Sequence, residues 1–160
     1  MNVDILVHSA GQLLTIASHG KPKRGAAMRE LGIVADGAVA VQGERVVAVG
    51  PTAELRRRFT ANTEIDAQGR VVMPGFVDCH VHYPQLPVIG SCGTQLLDWL
   101  TRYTFPAEAA FADGRVARRV ARDYLDENLR QGITTAAVFC TVHPESVDAL
   151  MREAAKRSLR

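Results

Sequence analysis

The chain has 160 residues, of which 47% are hydrophobic and 22% are charged, an ordinary composition for a folded protein with a buried core. Its 19 basic and 17 acidic residues leave a formal charge of only +2 at pH 7, and they form no long run of one sign. This balance argues against binding to nucleic acid or to an anionic membrane, and it favours a small neutral partner.

The three cysteines are odd in number and form no Cys-x-x-Cys pair, so the sequence predicts neither a disulfide framework nor a structural zinc knuckle. The amino terminus, MNVDILVHSAG, has no basic segment followed by an apolar one. No apolar run approaches the roughly 18 residues of a membrane span. We therefore expect a cytoplasmic protein that does not bind membranes.

The first segment, expected to cover residues 1–68, alternates short β-branched runs with turns. The run GAVAVQGERVVAVGP predicts a hairpin, because Gln42-Gly43-Glu44-Arg45 is a polar link between two valine-rich arms. A polar loop, residues 18–32, separates this hairpin from the opening run DILVHSAGQLLTIAS. The pattern predicts a small antiparallel β-sandwich module.

In the second segment, residues 69–160, strands alternate with helices, which is typical of an α/β fold. The long helix has clear ends, since Asp113 is a good cap and Gly132 a good stop. The predicted elements are a buried strand (71–82), a short helix (94–103), an amphipathic helix (114–131), a β-branched strand (133–140) and a last helix (145–156). Two β-α units in succession predict the first quarter of a TIM-type (β/α)8 barrel, left incomplete because a closed barrel takes about 250 residues.

The stretch PGFVDCHVHYPQ, residues 74–85, places two imidazoles two positions apart at the end of a predicted strand. Because side chains alternate along a strand, we expect Asp78, His80 and His82 on one face and the apolar residues between them under a layer of helices. Two neighbouring imidazoles on the carboxyl-terminal rim of a barrel suit a divalent metal, zinc above all. A bare His-x-His also occurs by chance in hydrogen-bonded barrel residues, and imidazole accepts iron or nickel with similar geometry.

The sequence VMPGFVDCHVHYPQ, preceded by GERVVAVGP and IDAQGR, resembles the first barrel strand of the amidohydrolase superfamily and the module before it. Within that superfamily, HVHYPQ, QLLDWLTRYTFPAEAAFAD and GITTAAVFCTVHPESVDAL are similar to guanine deaminases. The resemblance covers nearly the whole chain and is densest over residues 73–150. It implies hydrolytic deamination of guanine to xanthine and ammonia by a metal-activated water.

Carried over by position, the resemblance implies that His80 and His82 bind the metal, Zn²⁺ or alternatively iron, and that His82, Tyr83, Pro84 and Gln85 contact the purine. Gln85 suits that role because a carboxamide offers both a donor and an acceptor to a base edge. Without the resemblance it is an ordinary loop glutamine. The other metal ligands, a His and an Asp, and the proton-shuttling Glu are implied to belong to later barrel strands, so no catalytic acid or base is assigned within these 160 residues.

Two alternatives stay open. Another amidohydrolase, such as a cytosine deaminase, a chlorohydrolase or a cyclic-amide hydrolase, would share the two metal ligands. A non-catalytic truncated fragment would bind zinc weakly or contribute only to assembly, since catalytic zinc uses three protein ligands and a water. We expect these 160 residues alone to be inactive, and the strand edges of an incomplete barrel leave a homodimer open.

Overall fold

The computed structural model describes residues 1–18 and 20–160, which divide into two compact units, Met1–Pro74 and Gly75–Arg160. His19, in the predicted polar loop, lies outside the described residues. No helix in the described part of the chain is both long enough and apolar enough to span a bilayer.

The first unit is built on one five-stranded sheet. Its elements are β1 (Asn2–Leu14), β2 (Ile33–Gln42), β3 (Arg45–Pro51), α1 (Thr52–Arg58), β4 (Thr60–Asp66) and β5 (Val71–Val72). The strand order is β3-β2-β1-β4, and β5 pairs with the far end of β1. The predicted hairpin is confirmed, because β2 and β3 pair antiparallel on either side of Gly43 and Glu44.

Two features of this unit differ from the prediction. The sheet is mixed, since β4 and β5 both run parallel to β1, and the described residues form one sheet here rather than the two facing sheets of a sandwich. A parallel neighbour requires a crossover, which α1 provides between β3 and β4. The sequence did not predict this helix. Its seven residues contain a single buried leucine, Leu55, and one apolar residue cannot show a helical spacing.

The boundary between the units also falls later than the expected position near residue 68. Val71 and Val72 pair with Gln12 and Leu13 of β1, so they belong to the first sheet. The single buried strand predicted over residues 71–82 is therefore two separate strands, one in each unit.

The second unit has β-α-β-α order. Its elements are β6 (Phe76–His82), a 3-10 turn (Tyr83–Val88), α2 (Leu96–Trp99), α3 (Phe105–Ala109), α4 (Gly114–Arg130), β7 (Ile133–Phe139) and α5 (Pro144–Lys156). Strands β6 and β7 pair in parallel, with α4 as the helical connection between them. This arrangement confirms the predicted α/β character of the second segment.

Helix α4 forms as its sequence predicts. The Asp113 carboxylate accepts a 2.8 Å hydrogen bond from the backbone N–H of Arg115, which caps the first turn. Gly132 follows the helix with a φ of +78°, a conformation that glycine adopts without strain. Between these ends, Val120 and Tyr124 lie on the buried side of the helix and pack into the main core of the unit.

The helix predicted over residues 94–103 is displaced and longer. A π-helical turn, Leu100–Thr104, joins α2 to α3, and Pro106 follows it. Because Pro106 has no N–H to bond an earlier carbonyl, a wider turn is tolerated at this point. Two leucines of α2 are largely exposed, Leu96 at 69% and Leu97 at 74%.

Candidate functional site

Strand β6 carries a bulge between Asp78 and Val81. Asp78 pairs with Ala136, and Val81 pairs with Val138. Between these two pairs β6 advances by three residues while β7 advances by two, so β6 has one extra residue. Ala136 and Val138 share a face of β7, and Val81 and Val138 pack against the core that contains α4. Asp78 therefore lies on the helix-covered face of the sheet.

The prediction that Asp78 shares a face with the two histidines is wrong, because the bulge interrupts strict alternation. The Asp78 carboxylate instead accepts a 3.0 Å hydrogen bond from the backbone N–H of His80. Burial raises the pKa of Tyr124 on α4, and the negative charge of Asp78 adds to that rise. Cys79, expected under the helices, is exposed.

The imidazoles of His80 and His82 lie together at the carboxyl end of β6. Their ring centroids are 5.4 Å apart and their planes are inclined by 48°. The ring of Phe139, the last residue of β7, lies 4.8 Å from both imidazoles and is stacked on that of His82 with an interplanar angle of 13°. His82 and Phe139 pair across the strands, on the face opposite Val81. The three rings thus form one cluster at the carboxyl ends of the two strands.

The two imidazoles fit part of a metal site. His80 is exposed and His82 half-buried, which leaves room for a ligand at their ring nitrogens. Within residues 1–18 and 20–160, no three His, Cys, Asp or Glu side chains converge on one metal position. Since a catalytic zinc site generally uses three protein ligands, the pair supplies two of the donors that such a site needs.

A cavity of about 550 Å³ opens beside the two histidines. Six of the residues that line it come from β6, the turn after it, the α2 region and α4: His80, His82, Gln85, Ile89, Trp99 and Tyr124. The volume lies within the usual range of small-molecule sites. Of the expected ligand-contacting residues, the structure thus brings His82 and Gln85 to one cavity.

Tyr83 and Pro84 lie elsewhere. The Tyr83 ring has no exposed surface, packs edge-on against Phe111 with centroids 5.3 Å apart, and donates its hydroxyl proton to the Ser146 carbonyl at 2.6 Å. Pro84 is also fully buried. The 3-10 turn points both side chains into the core and neither lines the cavity, so their contact with a ligand stays a prediction.

The sequence analysis did not identify two residues that lie near the site. Phe139 contacts both imidazoles, and its position could have been found from the rule that parallel strands bring their carboxyl ends to one edge. Glu108, on α3, accepts a 3.0 Å hydrogen bond from Nε2 of Gln85. This contact joins residues 23 positions apart, and no local pattern signals it.

Two family models match the chain. The amidohydrolase family matches residues 71–160, and the imidazolonepropionase-like composite domain of bacteria matches residues 37–61. The chain is thus matched in both of its units.

Several relatives resemble the chain over part of their length. Guanine deaminase of Escherichia coli K12 is 47% identical over 95 residues, which is 59% of this chain and 22% of the relative. Imidazolonepropionase of Chloroflexus aggregans is 60% identical over 79 residues, 49% of this chain and 18% of the relative.

Solved structures agree over nearly the whole chain. A structure of E. coli guanine deaminase matches with a TM-score of 0.82 and 33% identity, over 97% of this chain and 35% of that one. An adenosine deaminase from Xanthomonas campestris with bound zinc matches with a TM-score of 0.81 and 26% identity, over 99% of this chain and 33% of that one. The chain spans about a third of these solved structures and about a fifth of the curated relatives. Since the amidohydrolase match takes in more than half of its residues, this chain belongs to the amidohydrolase family.

Proposed function

We propose that this chain carries part of the active site of an enzyme that hydrolyses guanine to xanthine and ammonia. The observation behind the proposal is the pair of imidazoles, 5.4 Å apart, beside a cavity that Gln85 also lines. Similarity to guanine deaminase of E. coli, in sequence and in structure, supports guanine as the substrate.

In this proposal His80 and His82 are two ligands of a Zn²⁺ ion, with iron as the alternative metal. When bound, zinc lowers the pKa of a coordinated water towards about 7, which supplies a nucleophile at neutral pH. The bound zinc of the X. campestris adenosine deaminase supports the choice of metal. Phe139 packs against both imidazoles and so limits the directions in which their nitrogens point.

Gln85 is the residue that we assign to recognition of the purine. It lines the cavity together with His82, so a base held by the carboxamide would lie beside the metal ligands. Trp99 lines the same cavity, and its indole N–H is already bonded to the Ser91 carbonyl at 3.0 Å. Its ring is therefore fixed and offers an aromatic wall to a planar base.

We propose that the second unit is the first part of a (β/α)8 barrel, which the first unit precedes in the chain. Parallel pairing of β6 with β7, each followed by a helix, is the order of two successive barrel units. The match of residues 37–61 to a composite domain supports the proposal that the first unit is the module that precedes the barrel. Further metal ligands and a carboxylate that moves the proton would come from other barrel strands, so we expect no turnover from these 160 residues alone.

We also propose a cytoplasmic location. Cys79, Cys92 and Cys140 are all free thiols, which suits a reducing compartment.

One observation favours a second candidate. The C. aggregans imidazolonepropionase has the higher identity over its shorter match, and residues 37–61 match the imidazolonepropionase-like composite domain. Against it, the solved structures of E. coli guanine deaminase and X. campestris adenosine deaminase match 97% and 99% of this chain. We therefore keep imidazolonepropionase as the alternative.

An assay on the encoded polypeptide at its full length separates these candidates. Guanine, adenine, cytosine and imidazolonepropionate are supplied in turn, and ammonia, xanthine and loss of imidazolonepropionate are measured. We expect ammonia and xanthine from guanine, with a loss of at least about a hundredfold in His82→Asn, which removes a metal ligand. Glu44→Gln, at an exposed turn of the first unit, is the control and should retain activity. Consumption of imidazolonepropionate with no ammonia from guanine would overturn the proposal.

A further inference from the structure

We propose that Glu108 is a positioning residue that holds the Gln85 carboxamide with its oxygen towards the cavity, so that the site selects ligands presenting an N–H group there. The inference rests on the proposed function where it names the ligand as guanine.

The contact itself defines the orientation of the amide. Nε2 of Gln85 donates to Oε1 of Glu108 at 3.0 Å, and both side chains are half-buried. A carboxylate only accepts hydrogen bonds, and a carboxamide donates only through its nitrogen. Of the two orientations that a glutamine amide can take by flipping, this contact is compatible with one.

The Glu108 carboxylate does not line the cavity. Gln85 lines the cavity, whereas Glu108 is absent from the described residues that line it. In the proposal, one N–H of the carboxamide is held by Glu108 on α3 and the carboxamide oxygen faces the ligand.

The two elements that carry the pair are anchored independently. The 3-10 turn that bears Gln85 begins with Tyr83 and Pro84, both fully buried. Thr104, next to the start of α3, is 1% exposed. Since neither segment has to become ordered when a ligand binds, the orientation is available in advance.

A carboxamide held in one orientation distinguishes a ligand donor from a ligand acceptor, whereas a freely flipping carboxamide does not. An unrestrained carboxamide can present its donor or its acceptor to a ligand at similar cost, but one bonded to a carboxylate loses a charge-assisted hydrogen bond when it flips. A ligand N–H, such as a ring N–H of guanine, meets the oxygen directly. A ligand acceptor at the same place meets another acceptor and is rejected.

The test is a double-substitution cycle in the encoded polypeptide at its full length, with guanine as substrate. Glu108→Ala should raise KM about tenfold and leave kcat within about twofold, because the bond acts on substrate binding. In a Gln85→Ala background the same substitution should change KM no further, because Glu108 acts through Gln85. Glu108→Gln, which keeps the size and can still accept, should give a smaller rise, and Glu44→Gln in the first unit should give none.

Additive effects of the two substitutions on KM, or a fall in kcat at unchanged KM, would overturn the inference. A second readout needs no activity: the side-chain NH2 signals of Gln85 in 15N–1H spectra should move in Glu108→Ala and in Glu108→Gln. Gln85 signals that stay in place in both variants would also overturn it. If those signals move but the unsubstituted protein releases no ammonia from guanine, the proposed function fails and the role of Glu108 in orienting Gln85 stands.

Discussion

The Tyr83 hydroxyl donates a 2.6 Å hydrogen bond to the backbone carbonyl of Ser146, which joins the turn after β6 to the first turn of α5. Tyr83 directly follows His82 in the chain, so this bond anchors the end of the strand that carries both candidate metal ligands. The position of these ligands thus depends on the core of the second unit.

Tyr83→Phe removes this bond and keeps the buried ring. We expect the free energy of unfolding to fall by about 1–2 kcal/mol, measured by urea denaturation. Tyr103→Phe, at a partly exposed ring, is the matched control and should change it by less than about 0.5 kcal/mol. A loss of guanine turnover in Tyr83→Phe without loss of stability would contradict the placement of Tyr83 in the core.

Stability should decline at alkaline pH. Burial raises the pKa of Tyr83 and of Tyr124 above the ordinary value of 10.0. A raised pKa means that the folded state holds the tyrosine proton more tightly than the unfolded state does. The protonated tyrosines therefore stabilise the fold fully below pH 10, and this stabilisation is lost as the pH rises towards the folded-state pKa. Urea midpoints measured from pH 8 to pH 11 should fall above pH 10, and less steeply in the double variant Tyr83→Phe/Tyr124→Phe. An equally steep fall in that variant would contradict the assignment.

Stability should also decline in acid, for a different reason. Glu153 on α5 is 3% exposed, and hydrogen bonds from Lys156 and Arg157 lower its pKa below the ordinary value of 4.5. A lowered carboxyl pKa stabilises the folded state above pH 4.5, and that stabilisation is lost as the pH falls through the folded-state pKa. Glu153→Gln should flatten the acid limb of the stability profile. Glu44→Gln, at an exposed turn, should leave it as steep as in the unsubstituted chain.

The parts of the fold that the sequence predicted correctly are those specified by local signals. Helix α4 combines a helical period with Asp113 at one end and Gly132 at the other, and the β2–β3 hairpin has its polar link at the turn. The pairing of β4 and β5 with β1 depends on contacts across the sheet, which the sequence pattern does not encode.

In the candidate site, too, the features that the sequence predicted are those with a local pattern. His80 and His82 were found because two imidazoles at a strand end are a local pattern. The face taken by Asp78 depends on one extra residue in the register of β6 against β7, and a shift of one residue reverses a side chain. The Gln85–Glu108 bond spans two elements whose approach is set by packing, so no sequence pattern could reveal it.

Phe139 should matter for metal binding more than for stability. Its ring packs on both imidazoles and is 50% exposed. In Phe139→Ala, we expect the zinc affinity of the encoded full-length polypeptide to fall about 10- to 100-fold, because the ligand rings lose their support. Competition with a chelator measures this affinity. Phe76→Ala, at the other end of β6 and 53% exposed, is the control, and equal affinities in the two variants would contradict the role given to Phe139.

Anomalous diffraction at the zinc absorption edge, from crystals of the full-length polypeptide grown with zinc, tests the central claim most directly. We predict a peak about 2.0–2.1 Å from a ring nitrogen of His80 and of His82 together. A zinc peak bound elsewhere, with the two imidazoles turned into the helical core or separated from each other, would contradict it.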